Sequence, residues 1–372
     1  MIALFRRSTA WRAAGLLVTC VSLVLAIAVL VSVLAVLSGH DPLLALNALW
    51  RGSFGSPYAV LSATLVRATP LILTGLAVTL AFTAGVMNIG AEGQLLAGGT
   101  AAAIVDGVVG ASLGWLSIPV TLLAGAVAGA GWAFLPAWLR RRFGVLEVIS
   151  TIMMNFVALY LVGYLVRGPL QEPLRIYPQS GAIAEASRLP IIADGTRLHL
   201  GFPIALVCGV VLWWALRSTA AGFRVRVLGA NPDAAHSAGL IDIGRTAMRA
   251  FLLSGALAGL AGAIEVSGVT YSLYENLSPG YGYTAIAVAL VGALNPMLTV
   301  MSGVVFGALE AGASAMQRDA GVPSVLTTVV EASIILLILG FAALRTSAVR
   351  WPRPSRQRHS QQSEPPRGVE SP

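Results

Sequence analysis

Apolar residues recur along this chain in runs long enough to cross a bilayer, and polar residues are confined to the gaps between them. A hydrocarbon core near 30 Å asks for about 20 apolar residues per helical crossing. Ala13–Leu37 is the first such run, preceded by Arg6, Arg7 and Arg12. A secretory signal has a shorter apolar core of about 7–15 residues and a small-residue cleavage site, so the run predicts an uncleaved first span. His40–Pro57 predicts a short interfacial helix carrying Leu43, Leu44, Leu46, Leu49 and Trp50. The second span, Tyr58–Thr83, contains Arg67 and Pro70; the proline is expected to kink it, and the arginine to snorkel or pair with a carboxylate.

Thr83–Gly99 then interrupts the apolar pattern with Asn88, Glu92 and Gln94, punctuated by Gly85, Gly90, Gly93, Gly98 and Gly99. Broken helix at membrane depth survives only inside protein or beside a watery cavity, because hydrocarbon leaves backbone groups unsatisfied. The stretch is therefore a functional-site candidate, with a plain turn between two helices as its alternative. A third helix runs to Val109, a fourth over Leu116–Leu139, a fifth over Val148–Val166 with Ser150, Thr151 and Asn155, and a sixth over Gly201–Leu216. The polar, Pro-rich stretch 167–200 separates the fifth and sixth. A seventh span, Ala250–Val266, follows the long basic segment 217–249. Thr284–Leu294 is too short to cross and stops at Asn295-Pro296, which predicts a half-helix ending in a turn. Met297–Met316 and Ser324–Leu344 complete an all-α, polytopic bundle of about ten spans with interrupted helices, occupying residues 1–344 as one domain. The Arg-rich tail 345–372 is expected to be disordered.

Composition agrees with this pattern. The 372 residues are 56% hydrophobic and 11% charged, outside the range of an ordinary soluble domain. All 24 basic residues are Arg. By alternation of the spans, 17 of the 24 fall on one side and 6 on the other, which puts both termini in the cytoplasm. The net charge of +8 thus reads as a topology signal, and no nucleic-acid partner is expected. The absence of Lys excludes a phosphate-gripping P-loop and Schiff-base chemistry in this chain. Cys20 and Cys208 lie in apolar runs and suggest neither a disulfide framework nor a metal site.

Candidate chemistry is correspondingly sparse. The four His are scattered, and Glu92 and Glu265 are the two carboxylates that could serve an intramembrane acid–base reaction. Isolated polar groups among Gly-rich helices fit a polar pathway better than catalysis, so no catalytic residue and no metal site is assigned. Two stretches, Leu71–Gly99 and Ala285–Gly312, each run apolar, break at an Asn-containing turn and resume with small residues. Paired interrupted helices are the sequence pointer to a midplane site in transporters. In the basic segment, Asn231-Pro232 opens a short helical grammar with Asp233 beside its N-terminus and a smooth face of Ala234, Ala235 and Ala238. A short helix on the inner surface can be gripped by a cytoplasmic protein; a solvated connector is the alternative.

Five motifs carry a resemblance: PLILTGLAVTLAFTAGVMNIGAEGQLLAGG, EVISTIMMNFVALYLV, GANPDAAHSAGL, SGALAGLAGAIEVSG and SPGYGYTAIAVALVGALNP, spread over Leu65–Phe341. Together they resemble the inner-membrane permease of an ABC importer, in the family serving branched-chain amino acids, simple sugars and nucleosides, nearest its nucleoside branch. The resemblance implies a multi-pass subunit of the bacterial inner membrane that is not itself an enzyme. It also implies a second permease, a cytoplasmic ATPase that uses the ATP, and an extracytoplasmic solute-binding protein; this chain itself binds no cofactor. It places Gly229, Asn231, Pro232, Ala235 and Gly239 in the helix that couples to the ATPase, and Asn88, Glu92 and Gln94 along the solute path; Asn155 joins them as a further hydrogen-bonding group suited to the sugar hydroxyls and base of a nucleoside. ALVGALNP departs from many relatives in lacking a basic residue before the Asn-Pro turn. A sugar or branched-chain amino acid permease, or an ATP-independent carrier, remains the competing reading, and Glu92 either touches solute or ties two helices together.

Overall fold

The computed structural model describes residues 25–340 other than 111, 234–241, 324, 327, 331, 338 and 339. Helices account for nearly all of its regular structure, and no β-strand occurs among the described residues. In chain order they are α1 (Leu25–Leu37), α2 (Pro42–Ser53), α3 (Pro57–Thr83), α4 (Ala91–Val109), α5 (Ser117–Phe143) and α6 (Glu147–Arg167). There follow α7 (Gly201–Ser218), α8 (Ala220–Ala230), α9 (Ile243–Glu265), α10 (Tyr281–Val291), α11 (Pro296–Asp319) and α12 (Thr328–Leu337). Among the described residues, six helical stretches are long and apolar enough to cross a membrane. Helix α4 has 19 residues, but its polar N-terminal turn leaves it outside that six.

Burial sorts the helices into a centre and a periphery. The apolar window of α3 is 83% buried and that of α9 72%, against 22% for α5 and 28% for α7. Helices α3, α4, α9 and α10 therefore form the interior, while α5, α6 and α7 turn large side chains such as Leu123, Phe156, Tyr160, Val207 and Val211 outward. In a soluble protein that surface would be a liability; against lipid tails it is the expected exterior.

Small residues set how closely the interior helices approach. Gly98 of α4, Gly125 and Gly129 of α5, and Gly255 and Gly259 of α9 meet at one crossing. A Cβ on Gly129 would stand 2.6 Å from the Gly259 Cα, and one on Gly98 would overlap the Gly259 backbone. Backbone-to-backbone contact is what holds membrane helices together where no hydrophobic effect acts between them. The same logic joins α11 to α3, where a Cβ on Gly307 would lie 2.6 Å from the Ala68 nitrogen.

Helix α3 continues through Pro70, and a π-turn occupies Val60–Thr64, about two turns earlier. Among the described residues Arg67 makes no short ion pair; it lines a cavity and donates to the Ser314 hydroxyl at 3.3 Å. The predicted half-helix is present as α10, ending at a turn in which Ala293 and Leu294 both adopt positive φ. Asn295 then caps α11 by accepting the Met297 N–H, with Pro296 at the first position.

At one end of the bundle, 168–200 clasps 267–280 through backbone bonds from Ser180 to Leu273, Ile183 to Tyr271 and Leu189 to Ser267. Arg188 stacks over the Tyr271 ring, 4.9 Å from its centroid, and Arg167 pairs with Glu275. His199 closes this region, wedged against Gly201 and Gly268 and accepting the Gly201 N–H. The first half of the predicted first span and the tail 345–372 lie outside the described residues.

Candidate solute path and coupling loop

Helix α3 ends at Thr83, Gly85 turns the chain with positive φ, and residues 87–90 run back into the bundle before α4 begins. A bare re-entrant stretch would leave its amides and carbonyls orphaned in a low-dielectric interior, so its polar side chains have a structural task. Asn88 and Gln94 form a reciprocal amide pair: Asn88 Nδ2 donates to Gln94 Oε1 at 2.9 Å, and Gln94 Nε2 donates to Asn88 Oδ1 at 3.0 Å. Asn88 also donates to the Ser254 hydroxyl of α9 and accepts the Gly90 N–H. Asn155 of α6 bridges the same break, donating to the Ile89 carbonyl and accepting the Gly93 N–H, each at 2.9 Å.

Glu92 reaches in another direction. Its carboxylate accepts the Gly282 N–H at 2.7 Å and is bonded by the Ser278 hydroxyl. Gly282 is the second residue of α10, and Ser278 Oγ accepts the N–H groups of Gly280 and Tyr281. Between them, Ser278 and Glu92 satisfy N–H groups that the first turn of α10 cannot pair within itself. A carboxylate there also faces the positive end of the helix dipole. Gly282 has to be Gly, since a Cβ would strike the Glu92 backbone.

All four predicted path residues are thus brought together as a buried polar seam, with exposures between 0% and 7%. They hold the N-termini of α4 and α10 against one another, and none of them borders a cavity of about 490 Å³ found among the described residues. That cavity is lined instead by Arg67, Tyr281, Thr284, Glu310, Ser314 and Gln317, together with α12. A smaller one of about 170 Å³ adjoins it, sharing Arg67 and Tyr281 and adding Arg197 and Glu265. Glu92 and Glu265, the pair considered for acid–base chemistry, accordingly sit in different surroundings. The polar face of α11 was open to view in the sequence: Glu310, Ser314 and Gln317 fall at i, i+4 and i+7 of one helix. No cluster of metal-ligating side chains occurs among the described residues.

The basic segment leaves α7 and forms α8, which Thr219 caps by accepting the Gly222 N–H. Asn231 ends α8 in an extended conformation, and Pro232 starts a new helical turn. Ala235 and Gly239 lie outside the described residues. Gly229 packs directly on the end of α3: its missing side chain would collide with the Thr83 carbonyl, and a Cβ on Gly85 would be 3.2 Å from the Gly229 Cα. The turn that opens the polar break and the loop at the bundle's end therefore touch backbone to backbone. Glu147 secures the other side, accepting the Met87 N–H at 3.3 Å while Arg140 pairs with it at 3.4 Å.

A seam of this kind beside a cavity is compatible with several transporter classes, and comparison with known proteins distinguishes them. The family described as branched-chain amino acid transport system, permease component, matches residues 60–339. The chain belongs to this family. The permease is 38% identical over 340 residues to the guanosine ABC transporter permease of Bacillus subtilis, covering 90% of this chain and 96% of the relative. It is 37% identical to the glucose ABC transporter permease of Haloferax volcanii, over 90% of this chain and 89% of the relative. A nucleoside ABC transporter permease of Lactococcus lactis is 30% identical, over 81% of this chain and 84% of the relative. The permease is a multi-pass membrane protein and a transport subunit, and its relatives are permeases, not enzymes.

Proposed function

We propose that this permease is a membrane-spanning subunit of an ATP-driven importer for nucleosides in the bacterial inner membrane. The observation that carries the reading is the 38% identity with a guanosine permease along nearly the whole of both chains. In this proposal the chain crosses the membrane about ten times, counting α10 as a half-crossing, and both termini are cytoplasmic. It works with a second permease, a cytoplasmic ATPase that binds and hydrolyses ATP, and an extracytoplasmic solute-binding protein.

The mechanism follows from the contacts. Closure of the ATPase moves the loop that includes Gly229, Asn231, Pro232, Ala235 and Gly239. Gly229 bears on Thr83 and Gly85, so that motion enters the bundle at the polar break. Asn88, Gln94 and Asn155 keep the re-entrant stretch stiff, and Glu92 passes the displacement to the first turn of α10, which borders the cavity. In this reading the four residues stand behind the path and brace α4 against α10, and the cavity bordered by α10 receives the solute.

The test is uptake of radiolabelled nucleosides in a strain lacking the importer genes and complemented with the complete set. ATP-dependent nucleoside uptake is expected. Uptake of glucose with no nucleoside uptake would replace this reading with the sugar reading, which the identity to a glucose permease supports.

A further inference from the structure

Helices α5 and α9 touch backbone to backbone at Gly129 and Gly259, and a cavity of about 200 Å³ opens between them where α5 ends and α9 begins. Arg140 and Arg141 of α5 line it with Gly244, Met248 and Phe251 of α9, and Ala137 forms part of its apolar floor. The carboxylates beside these helix ends are already engaged. Asp242 caps α9 and pairs with Arg245 at 3.2 Å, while Glu147 takes Arg140 Nε at 3.4 Å and the Met87 N–H. Arg140 Nη1 is left buried with no hydrogen-bond partner among the described residues. The Arg141 side chain is exposed and makes no ion pair among them. Gly244 leaves its approach open, since Arg141 Nε lies 3.5 Å from where a Cβ on that residue would stand. Two guanidinium groups thus overhang an apolar pocket with donors to spare.

The depth of the pocket says what meets it. Helix α5 has 27 residues, about 40 Å at 1.5 Å each, and a hydrocarbon core near 30 Å takes about 20 of them. Counted from Ser117, the hydrocarbon ends near Ala137 and the arginines stand in the headgroup layer. Trp138 and Phe143, exposed and packed edge to face at 5.5 Å, mark the same level, where aromatic rings gather at a membrane interface. We propose that the pocket between α5 and α9 is a binding site for the headgroup of an anionic phospholipid. Arg140 and Arg141 hold the phosphate, for which the guanidinium fork is well shaped, and the glycerol and upper acyl chain cover Ala137, Met248 and Phe251. The volume falls below the roughly 300–1,000 Å³ of drug-sized ligand sites and suits a headgroup whose tails stay in the bilayer. An acidic protein surface would match the arginines alone and leave the apolar floor unused. That floor packs with Ala84 and Val86 where the polar break opens, so the lipid supports the end of the bundle that the coupling loop touches. The site is independent of which solute is carried.

The experiment uses the complete importer in phosphatidylcholine vesicles doped with phosphatidylglycerol that carries a diazirine near the glycerol end of one acyl chain. After illumination, cross-linked peptides of this chain are mapped by mass. Labels are expected within 137–143 and 244–251, well above those from the same probe with a choline headgroup. Arg141→Gln, at an exposed position, should lower them roughly fivefold, as about 1 kcal/mol per basic group near a membrane surface implies. Met248→Trp should remove them by filling the pocket without changing charge. Arg226→Gln, at an exposed basic position outside the pocket, should leave them unchanged. Equal labelling by the two headgroups, or equal losses in Arg141→Gln and Arg226→Gln, overturns the site in favour of diffuse attraction. Displacement of the label by inorganic phosphate would assign the pocket to a soluble anion, and labelling only after the ATPase is stripped away would assign it to a subunit contact; either result overturns the lipid.

Discussion

Replacing Glu92 isolates the contact that ties the polar break to α10. In Glu92→Ala the Gly282 N–H loses its acceptor at a position where water has little access. An orphaned buried donor costs about 1–3 kcal/mol. Loss of the carboxylate from the positive end of α10 adds roughly 0.3–1 kcal/mol. The sum, about 1.3–4 kcal/mol against local opening of the α10 N-terminus, corresponds to a fall in amide protection of roughly 10-fold to 1,000-fold. Glu92→Gln keeps an acceptor oxygen and loses the charge, so about 1 kcal/mol is expected. Hydrogen exchange at residues 280–284 of the detergent-purified importer reads both variants. Uptake should follow the same order, with the glutamine variant retaining most activity. Unchanged Gly282 protection in Glu92→Ala refutes the capping role. Full protection with abolished uptake in Glu92→Gln would instead make the carboxylate a solute ligand.

Three other outcomes follow from the structure. Gly98→Leu should destabilise the bundle by more than the ~1–3 kcal/mol of ordinary overpacking, because its side chain would meet the Gly259 backbone and not a movable group; a thermal melt of the purified importer measures this. His199 is 1% exposed, and burial, aided by the charge of Arg197, holds its pKa down to about 4 against the ordinary 6.5. The unfolded chain therefore binds the proton first, so stability is full above pH 6.5 and is lost as pH falls toward 4, by about 2 kcal/mol at pH 5. His199→Gln, which keeps an acceptor for the Gly201 N–H, should flatten that dependence in melts from pH 7.5 to 5; an unaltered slope would assign it to other groups. Asn231→Arg combined with Ala235→Arg should leave ATPase activity in proteoliposomes while nucleoside uptake falls at least tenfold, and unchanged coupling would remove the loop from the mechanism.

Much of the architecture could be read from hydrophobic runs, because crossing a bilayer imposes length and polarity on each segment separately. The half-helix before Asn295-Pro296 is an example: the run 284–294 is too short to cross and ends in a cap signal, and α10 occupies Tyr281–Val291. The break at Asn88–Gln94 was legible for the same reason, since polar groups stand out in an apolar context. What they bond to was not. Asn88 meets Ser254, and Glu92 meets Gly282, across 166 and 190 positions of chain, and no local period encodes such a pairing. The cavity was missed because its wall is assembled from four helices, α3, α10, α11 and α12, and the polar face of α11 alone does not say what it faces. Pro70 removes one helical hydrogen bond, and the helix continues past it where neighbouring helices bury this stretch of α3.

The central claim is that this permease carries nucleosides on energy supplied by a partner ATPase. Guanosine uptake into proteoliposomes containing the complete importer, with ATP enclosed on the ATPase side, tests it most directly. The account predicts accumulation that requires ATP and disappears when the partner carries an ATPase-inactivating substitution. Accumulation driven by an ion gradient through this chain alone, without ATP, would contradict it.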